Sequence, residues 1–308
     1  MYNVSLSTMW GIGRFNDMAD FVAQGKAMGF CCIELNHQVT ADLLDQIMSV
    51  HRRGQVIISS VHDPCPNAAA KLELLAKVSD LAEESRAAAV AKVKRSIDLA
   101  YETHARAVVL HVGDVWELHE HALELRRLFQ AGRRRTAEYE LSLARFKQGM
   151  TELQQPHLDA VARSLQELIP YAQERGLQLG IENRYYVNEI PTLEQACWLF
   201  DRLDDSVVGY WHDVGHAEVQ DRLGFAPHED WLRTLGRRII GIHLHDVLQG
   251  TITDHQSAGL GDLDLPMVLR HLPAAALRVC EFDKKNTEEQ VRGGLQRLAA
   301  LGFFPNGR

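Results

Sequence analysis

The chain has 308 residues, a formal net charge of -8 and a pI near 6.0. That balance disfavours a broad electrostatic grip on nucleic acid, and no stretch approaches the roughly 20 apolar residues that span a bilayer. The amino-terminal run Met1 to Trp10 lacks a positive n-region, and Cys31, Cys32, Cys65, Cys197 and Cys280 form an odd set without a CxxC pair. The expectation is therefore a cytoplasmic protein with reduced thiols, neither secreted nor built on thiolate-bound zinc.

In chain order, Asn3–Leu6 reads as the first strand, followed by Trp10 and a helix that Asn16-Asp17 caps and Gly29 stops, with Phe21, Val22, Ala27 and Met28 at helical spacing. Cys31–Leu35 is the second strand, carrying Glu34 with Asn36 just beyond it, and Gln55–Ser59 is the third, with His62 after it. Ala107–His111 is the fourth and ends in His111. The connection from about 115 to 158 reads as a helical insertion or hairpin, with Arg126, Arg127, Arg133, Arg134 and Arg135 among many glutamates. A solvated mixed-charge surface is its simplest reading, ahead of a lid, a dimer contact or a phosphate site.

Val161, Leu165, Leu168 and Ile169 mark the next helix, with Gly176 at its stop, before the fifth strand Gln178–Glu182. Arg184 lies two residues on, where it suits a substrate phosphate or carboxylate or a salt bridge equally. Thr192 caps a helix, and Val207–Trp211 is the sixth strand, followed by Asp213 and His216. Ile239–Leu244 is the seventh, with His243 and His245, and Leu277–Glu281 is the eighth. Lys284 and Lys285 after it suit an anion or an exposed helix start, and 304–308 is the one loose end.

Strands alternating with helices demand parallel pairing, and continuous apolar strands imply burial on both faces. Eight such units without a GxGxxG or GxxxxGK[ST] after the first strand predict a single closed (β/α)8 TIM barrel over 1–308, not an open nucleotide-binding sheet. In that barrel the ionisable strand ends converge on one face. Any single histidine among fifteen has a dull explanation. The joint set does not, because several buried carboxylates and imidazoles at one end of apolar strands are costly without a cation. The mixed donors suit Zn, Mn, Co or Fe better than calcium, and more than one ion is compatible with them.

The ordered motifs Ser-Val-His62-Asp-Pro, Val-Leu-His111-Val-Gly, Gly-Ile-Glu182-Asn, His-Asp213-Val-Gly-His216, Gly-Ile-His243-Leu-His-Asp246, Asp254-His255 before Gly259-Leu-Gly261, and Val-Cys-Glu281 resemble the xylose isomerase-like barrels over nearly the whole chain. That superfamily includes sugar epimerases, inosose-processing enzymes and zinc-dependent apurinic endonucleases. The resemblance implies metal ligands Glu182, Asp213, His243 and Glu281, with Glu182 and Glu281 moving a proton between adjacent carbons of a ketose, sugar phosphate or inosose through an enediolate. His62, His111, His216, His255 and Asp254 become additional metal or substrate contacts. By their places at the strand ends, Arg184, Glu34 and Asn36 suit substrate contacts and His245 a substrate contact or a support for the ligands, while Trp10 and Trp211 could stack on a sugar, although packing is the commoner role of such tryptophans.

The endonuclease branch matches the same histidines, but the Asp expected two residues before His255 is Thr253, with Asp254 one place late. The loop Asp63-Pro-Cys-Pro-Asn67 also lacks a basic or aromatic wedge for DNA. A sugar isomerase or epimerase acting on a small sugar or polyol is thus the leading expectation. A zinc-dependent phosphodiesterase and a metal-dependent dehydratase or lyase follow, and a non-catalytic sugar binder has no use for two opposed glutamates.

Overall fold

The computed structural model describes residues 2–67, 75–203 and 206–304; residues 305–308 of the expected loose end lie outside them. Eight strands, β1 (Tyr2–Ser7), β2 (Phe30–Leu35), β3 (Ile57–His62), β4 (Ala107–Leu110), β5 (Gln178–Glu182), β6 (Val208–Asp213), β7 (Ile239–Leu244) and β8 (Leu277–Cys280), close in chain order into one barrel. All eight pairings are parallel. The sequence places several strand limits differently, among them those of the fourth and eighth strands, which stop one residue before His111 and Glu281. Its third strand starts two residues early, because the ladder to β2 begins only at Ile57 opposite Cys32 and continues until His62 lies opposite Val109 of β4. Its sixth ends short, because Asp213 still pairs with His243. His62 and Asp213 are therefore strand residues, with the positional precision that a ladder gives.

Ten described α-helices surround the barrel: α1 (Met18–Met28), α2 (Ala41–Arg52), α3 (Glu83–Glu102), α4 (His119–Gln130), α5 (Ala137–Gln173), α6 (Leu193–Phe200), α7 (Val214–Arg222), α8 (His228–Leu235), α9 (Leu265–His271) and α10 (Glu288–Leu301). The caps expected at Asp17 and Thr192 form, Thr192 closing a reciprocal capping box with Gln195. Gly29 ends α1 at φ 114°, a left-handed conformation that glycine adopts without a Cβ clash. The insertion does not stop at 158. It forms α4 and then α5, a 37-residue helix of about 55 Å that runs through Pro156 and Pro170 and absorbs the helix expected at Val161–Ile169.

Beneath the carboxyl ends, Trp211 fills the barrel against Ala107, Val109 and Val279. Its ring occupies the space that side chains of β5 and β7 would take: a Cβ on Gly180 would lie 2.9 Å from it, and one on Gly241 2.1 Å. Emptying such a space costs roughly 3–5 kcal/mol in a Trp→Ala change. No described helix is long and apolar enough to cross a membrane.

Candidate metal centre

Above Trp211, four strands deliver Glu182, Asp213, His243 and Glu281 to one point, with one potential donor atom from each all within 4.8 Å of one another. His243 Nδ1 lies at the middle, 2.6 Å from Glu182 Oε1, 3.1 Å from Glu281 Oε2 and 3.5 Å from Asp213 Oδ2. All four are almost fully buried. Three carboxylates packed around one imidazole nitrogen repel one another unless a cation sits among them, and three oxygens with one nitrogen form a donor set for a borderline divalent ion.

Each donor is aimed by a neighbour. Glu34, itself fully buried, accepts from His243 Nε2 at 3.0 Å and from the Ser60 hydroxyl at 2.7 Å, which turns Nδ1 toward the three carboxylates. Asn36 Nδ2 donates to Glu281 Oε1 at 2.9 Å, leaving Oε2 for the centre. Asp213 caps α7, its Oδ1 accepting from the His216 N–H at 2.8 Å. The His255 N–H donates to His245 Nδ1 at 3.0 Å, so His245 carries its proton on Nε2 and donates to the Asp213 oxygens at 3.0 and 3.1 Å. The glycine of Asp213-Val-Gly-His216 makes room for that ring, because a Cβ on Gly215 would stand 2.1 Å from His245 Cε1. Gly261 does the same for the neighbouring loop, where a Cβ would meet the Val247 carbonyl at 2.0 Å and Asp246 Oδ1 at 2.4 Å.

Two further groups flank the centre. His111 Nε2 and His62 Nε2 lie 2.7 and 3.5 Å from Glu182 Oε2. On the other side, His216 Nε2 and His255 Nε2 lie 3.7 and 3.6 Å from Asp254 Oδ2. In His62, His216 and His255 the Nδ1 atom is tied to a backbone carbonyl, of Asp63, Asn183 and Glu281 respectively, so that Nε2 faces the carboxylate. That is the posture of a metal-binding imidazole. Asp254, one place late in sequence, still reaches this group, and His255 beside it takes a positive φ of 53°.

Electrostatics follow from the crowding. Burial on its own raises the Glu182 pKa, but the His243 charge and hydrogen bonds from His111, His243 and His62 outweigh it and hold it well below the usual range. Asp213 is likewise held low against burial by His216 and His245 and by bonds from His243 and His245. Burial opposes a proton on His243, yet Glu281, Glu34 and Glu182 together push its pKa well above the ordinary value. His255 rises to about 9 by the same contest, with burial opposed by Asp254, Glu281 and Asp213. His111 goes the other way, held well below its usual value by burial and by the charges of Arg184 and His62.

Several residues expected at the substrate are placed elsewhere. Trp10 is fully buried and its Nε1 donates to the Asn286 carbonyl at 2.9 Å, with Phe15 and Phe21 packed on it. Trp211 plugs the barrel below the centre. Glu34 and His245 face His243 and Asp213, so both act on the ligands, the supporting role being one of the two expected of His245. Arg184 forms the salt bridge of its two readings, to Glu182 Oε2 at 2.8 Å and Glu189 Oε1 at 3.1 Å. Sequence reasoning missed Asn183, whose Oδ1 accepts from the Asp213 N–H and whose Nδ2 donates to the Asp213 carbonyl. Its position after Glu182 was the available signal.

A family model of the xylose isomerase-like TIM barrel matches residues 22–301. The chain belongs to that family. No curated protein matches it by sequence. Solved structures similar to this one include a D-tagatose 3-epimerase-like protein, with a TM-score of 0.69 at 18% identity, covering 98% of this chain and 97% of that one. The 3-keto-D-glucoside 4-epimerase of E. coli has a TM-score of 0.67 at 15% identity over 97% and 100% of the two chains. The IOLI protein, solved with a bound zinc atom, has a TM-score of 0.68 at 13% identity over the full length of both. At these identities the likeness is one of fold.

Proposed function

We propose that this protein is a metal-dependent sugar isomerase or epimerase that removes a proton from the carbon beside a carbonyl and returns one either to the opposite face of that carbon or to the former carbonyl carbon. The observation that carries the reading is the meeting of Glu182, Asp213, His243 and Glu281 at a single imidazole nitrogen, with two glutamates among the four. It is supported by the names of similar structures, which include epimerases of ribulose and psicose and a tagatose epimerase-like protein. A divalent ion held by these four residues would act as a Lewis acid on the substrate carbonyl and make the neighbouring C–H more acidic.

The chain's own residues supply the rest. Glu182 and Glu281 are ionised at neutral pH, their carboxylates held below the usual range by the surrounding histidines. One takes the α-proton and the other returns it, each within hydrogen-bond reach of the same bound molecule. Asn36 and Arg184 fix the orientation of the two carboxylates by holding one oxygen of each. Burial of the whole group keeps bulk water from competing with the bound sugar.

The test is solvent exchange. The purified protein, loaded with Mn²⁺ or Zn²⁺, is incubated in D₂O with a panel of ketoses and keto-glycosides, and deuterium incorporation is followed by NMR. Label entering one carbon beside the carbonyl, with a new epimer or isomer, is the expected result; no exchange with any keto sugar overturns the reading. The flanking groups around His62–His111 and His216–Asp254–His255 favour a second reading, a multi-zinc phosphodiesterase. Three zincs per chain and cleavage of a duplex at an abasic site would establish it in place of the first.

A further inference from the structure

The metal centre occupies the carboxyl ends of the strands; the amino ends enclose a second space. A cavity of about 310 Å³ opens where β1, β3, β4 and β8 begin. Arg106, Arg278 and His104 line it, and among the described residues no Asp or Glu does. In a chain of net charge -8 a cavity wall with three basic groups and no acidic one is a local inversion of the overall charge. The remaining wall is neutral, from the Ser5 and Ser59 hydroxyls to Ile57 and the loop Ala274–Ala276.

Arg278 is only 8% exposed. Its Nη1 donates to the carbonyls of Ala274 and Ala276 at 3.1 and 2.6 Å, and its Nη2 to that of Pro273 at 3.3 Å. Its buried Nε has no partner. Arg106, exposed at the cavity mouth, reaches the carbonyl of Ala275 in the same loop, with Nη2 to oxygen 3.5 Å. Among the described residues neither guanidinium has a carboxylate within ion-pair distance. A purely structural clamp on the loop explains the Nη contacts of Arg278. It does not explain an unpaired buried Nε or a second arginine on the same loop. His104, the residue at φ 55° that follows the carboxyl cap of α3, adds a third basic side chain to the lining.

We propose that this cavity binds a small tetrahedral oxyanion, either free phosphate or the phosphate end of a sugar phosphate, at a site separate from the metal centre. Guanidinium groups suit such an ion because a planar fork of parallel N–H bonds matches two oxygens of a phosphate, and the volume exceeds what one phosphate needs. The inner wall of the cavity at Ser59 is one hydroxyl, that of Ser60, from Glu34 beneath the metal centre, but Arg106 and Arg278 stand at the amino ends of their strands, away from it. The anion therefore does not touch the reacting carbons; it binds the folded barrel and stabilises it by linkage.

Calorimetric titration of the metal-loaded protein with inorganic phosphate, at constant ionic strength in NaCl, tests this. Wild type is expected to take one phosphate per chain at this site, with a melting temperature that rises with phosphate concentration. Arg106→Ala, an exposed position, is expected to weaken that binding at least tenfold without changing the melting temperature in phosphate-free buffer. Arg278→Met should abolish it; should that variant fold poorly, Arg106→Ala and Arg106→Glu carry the test. No phosphate binding to wild type, or binding unchanged in Arg106→Ala, overturns the proposal, the latter because it places the ion at the metal. Ribose 5-phosphate then distinguishes the sources: competition tighter than phosphate assigns a sugar phosphate, and weaker competition assigns the free ion.

Discussion

Replacing Glu34 with Gln removes one charge from beneath the metal centre while retaining an acceptor for His243 Nε2. Glu34 is fully buried; it bonds His243 at 3.0 Å and Ser60 at 2.7 Å, and Gln can keep both bonds once the Ser60 hydroxyl turns to accept. What changes is the basicity of the imidazole, because the Glu34 charge is among those that raise the His243 pKa. Loss of such an outer partner typically lowers metal affinity by about 10–100-fold, or roughly 1.4–2.8 kcal/mol. Since the hydrogen bond survives, the lower figure is the expectation. Competition against a chromophoric chelator measures it directly, with a urea melt of the metal-free protein as the control for folding. Affinity within twofold of wild type, in a variant that folds normally, would refute the claim that His243 is a ligand through Nδ1 and is tuned through Nε2.

Glu182→Gln and Glu281→Gln should each lower solvent exchange into a keto sugar by about 10²-fold or more, with circular dichroism unchanged; normal exchange in either removes that residue from proton transfer. Metal loading should release protons. The His243 pKa lies well above its ordinary value in the metal-free centre, so at pH 7 the imidazole carries a proton that an incoming ion displaces. Calorimetry in buffers of different ionisation enthalpy should therefore report about one proton per ion, and none would place the ion elsewhere. Gly215→Ala, which puts a Cβ 2.1 Å from His245 Cε1, should cost roughly 1–3 kcal/mol of stability, read by urea denaturation, and should weaken metal binding through Asp213.

Much of this was legible in the residues because a parallel barrel converts chain order into spatial order. Once β5 to β8 are recognised, Glu182, Asp213, His243 and Glu281 must share one face. What the chain did not disclose is the direction in which a side chain points beyond its strand. Trp10 and Trp211 follow or end strands as binding-site aromatics do, yet one packs behind the wall and the other inside the barrel, and only the missing Cβ atoms of Gly180 and Gly241 hint at the second. Glu34 and His245 are polar residues at strand ends like the ligands, but they lie where an imidazole nitrogen or a carboxylate needs support. The continuation of α5 past Pro156 escapes notice for another reason, since a proline removes one bond from a helix that packing on the barrel sustains.

Arg184 bears on how many ions the site holds. The two oxygens of Glu182 serve different neighbours. Oε1 faces His243, while Oε2 collects His111 at 2.7 Å, Arg184 at 2.8 Å and His62 at 3.5 Å. A second ion between His62 and His111 would need the oxygen that the guanidinium already holds. Two like charges at that separation inside a protein repel by several kcal/mol, on the order of 332·2/(20·5) for a divalent ion about 5 Å from the cation. Arg184 thus stands as a fixed cation where a multi-metal phosphodiesterase would need space for an ion, and this weighs the geometry toward a single-metal isomerase. Arg184→Met removes the charge at similar length. It is expected to raise zinc bound per chain above one in elemental analysis under zinc-replete conditions, with His111→Ala in the same background returning the count to one. A wild-type protein already holding two or three zincs would show that Arg184 yields to the second ion, and would shift the balance to the phosphodiesterase.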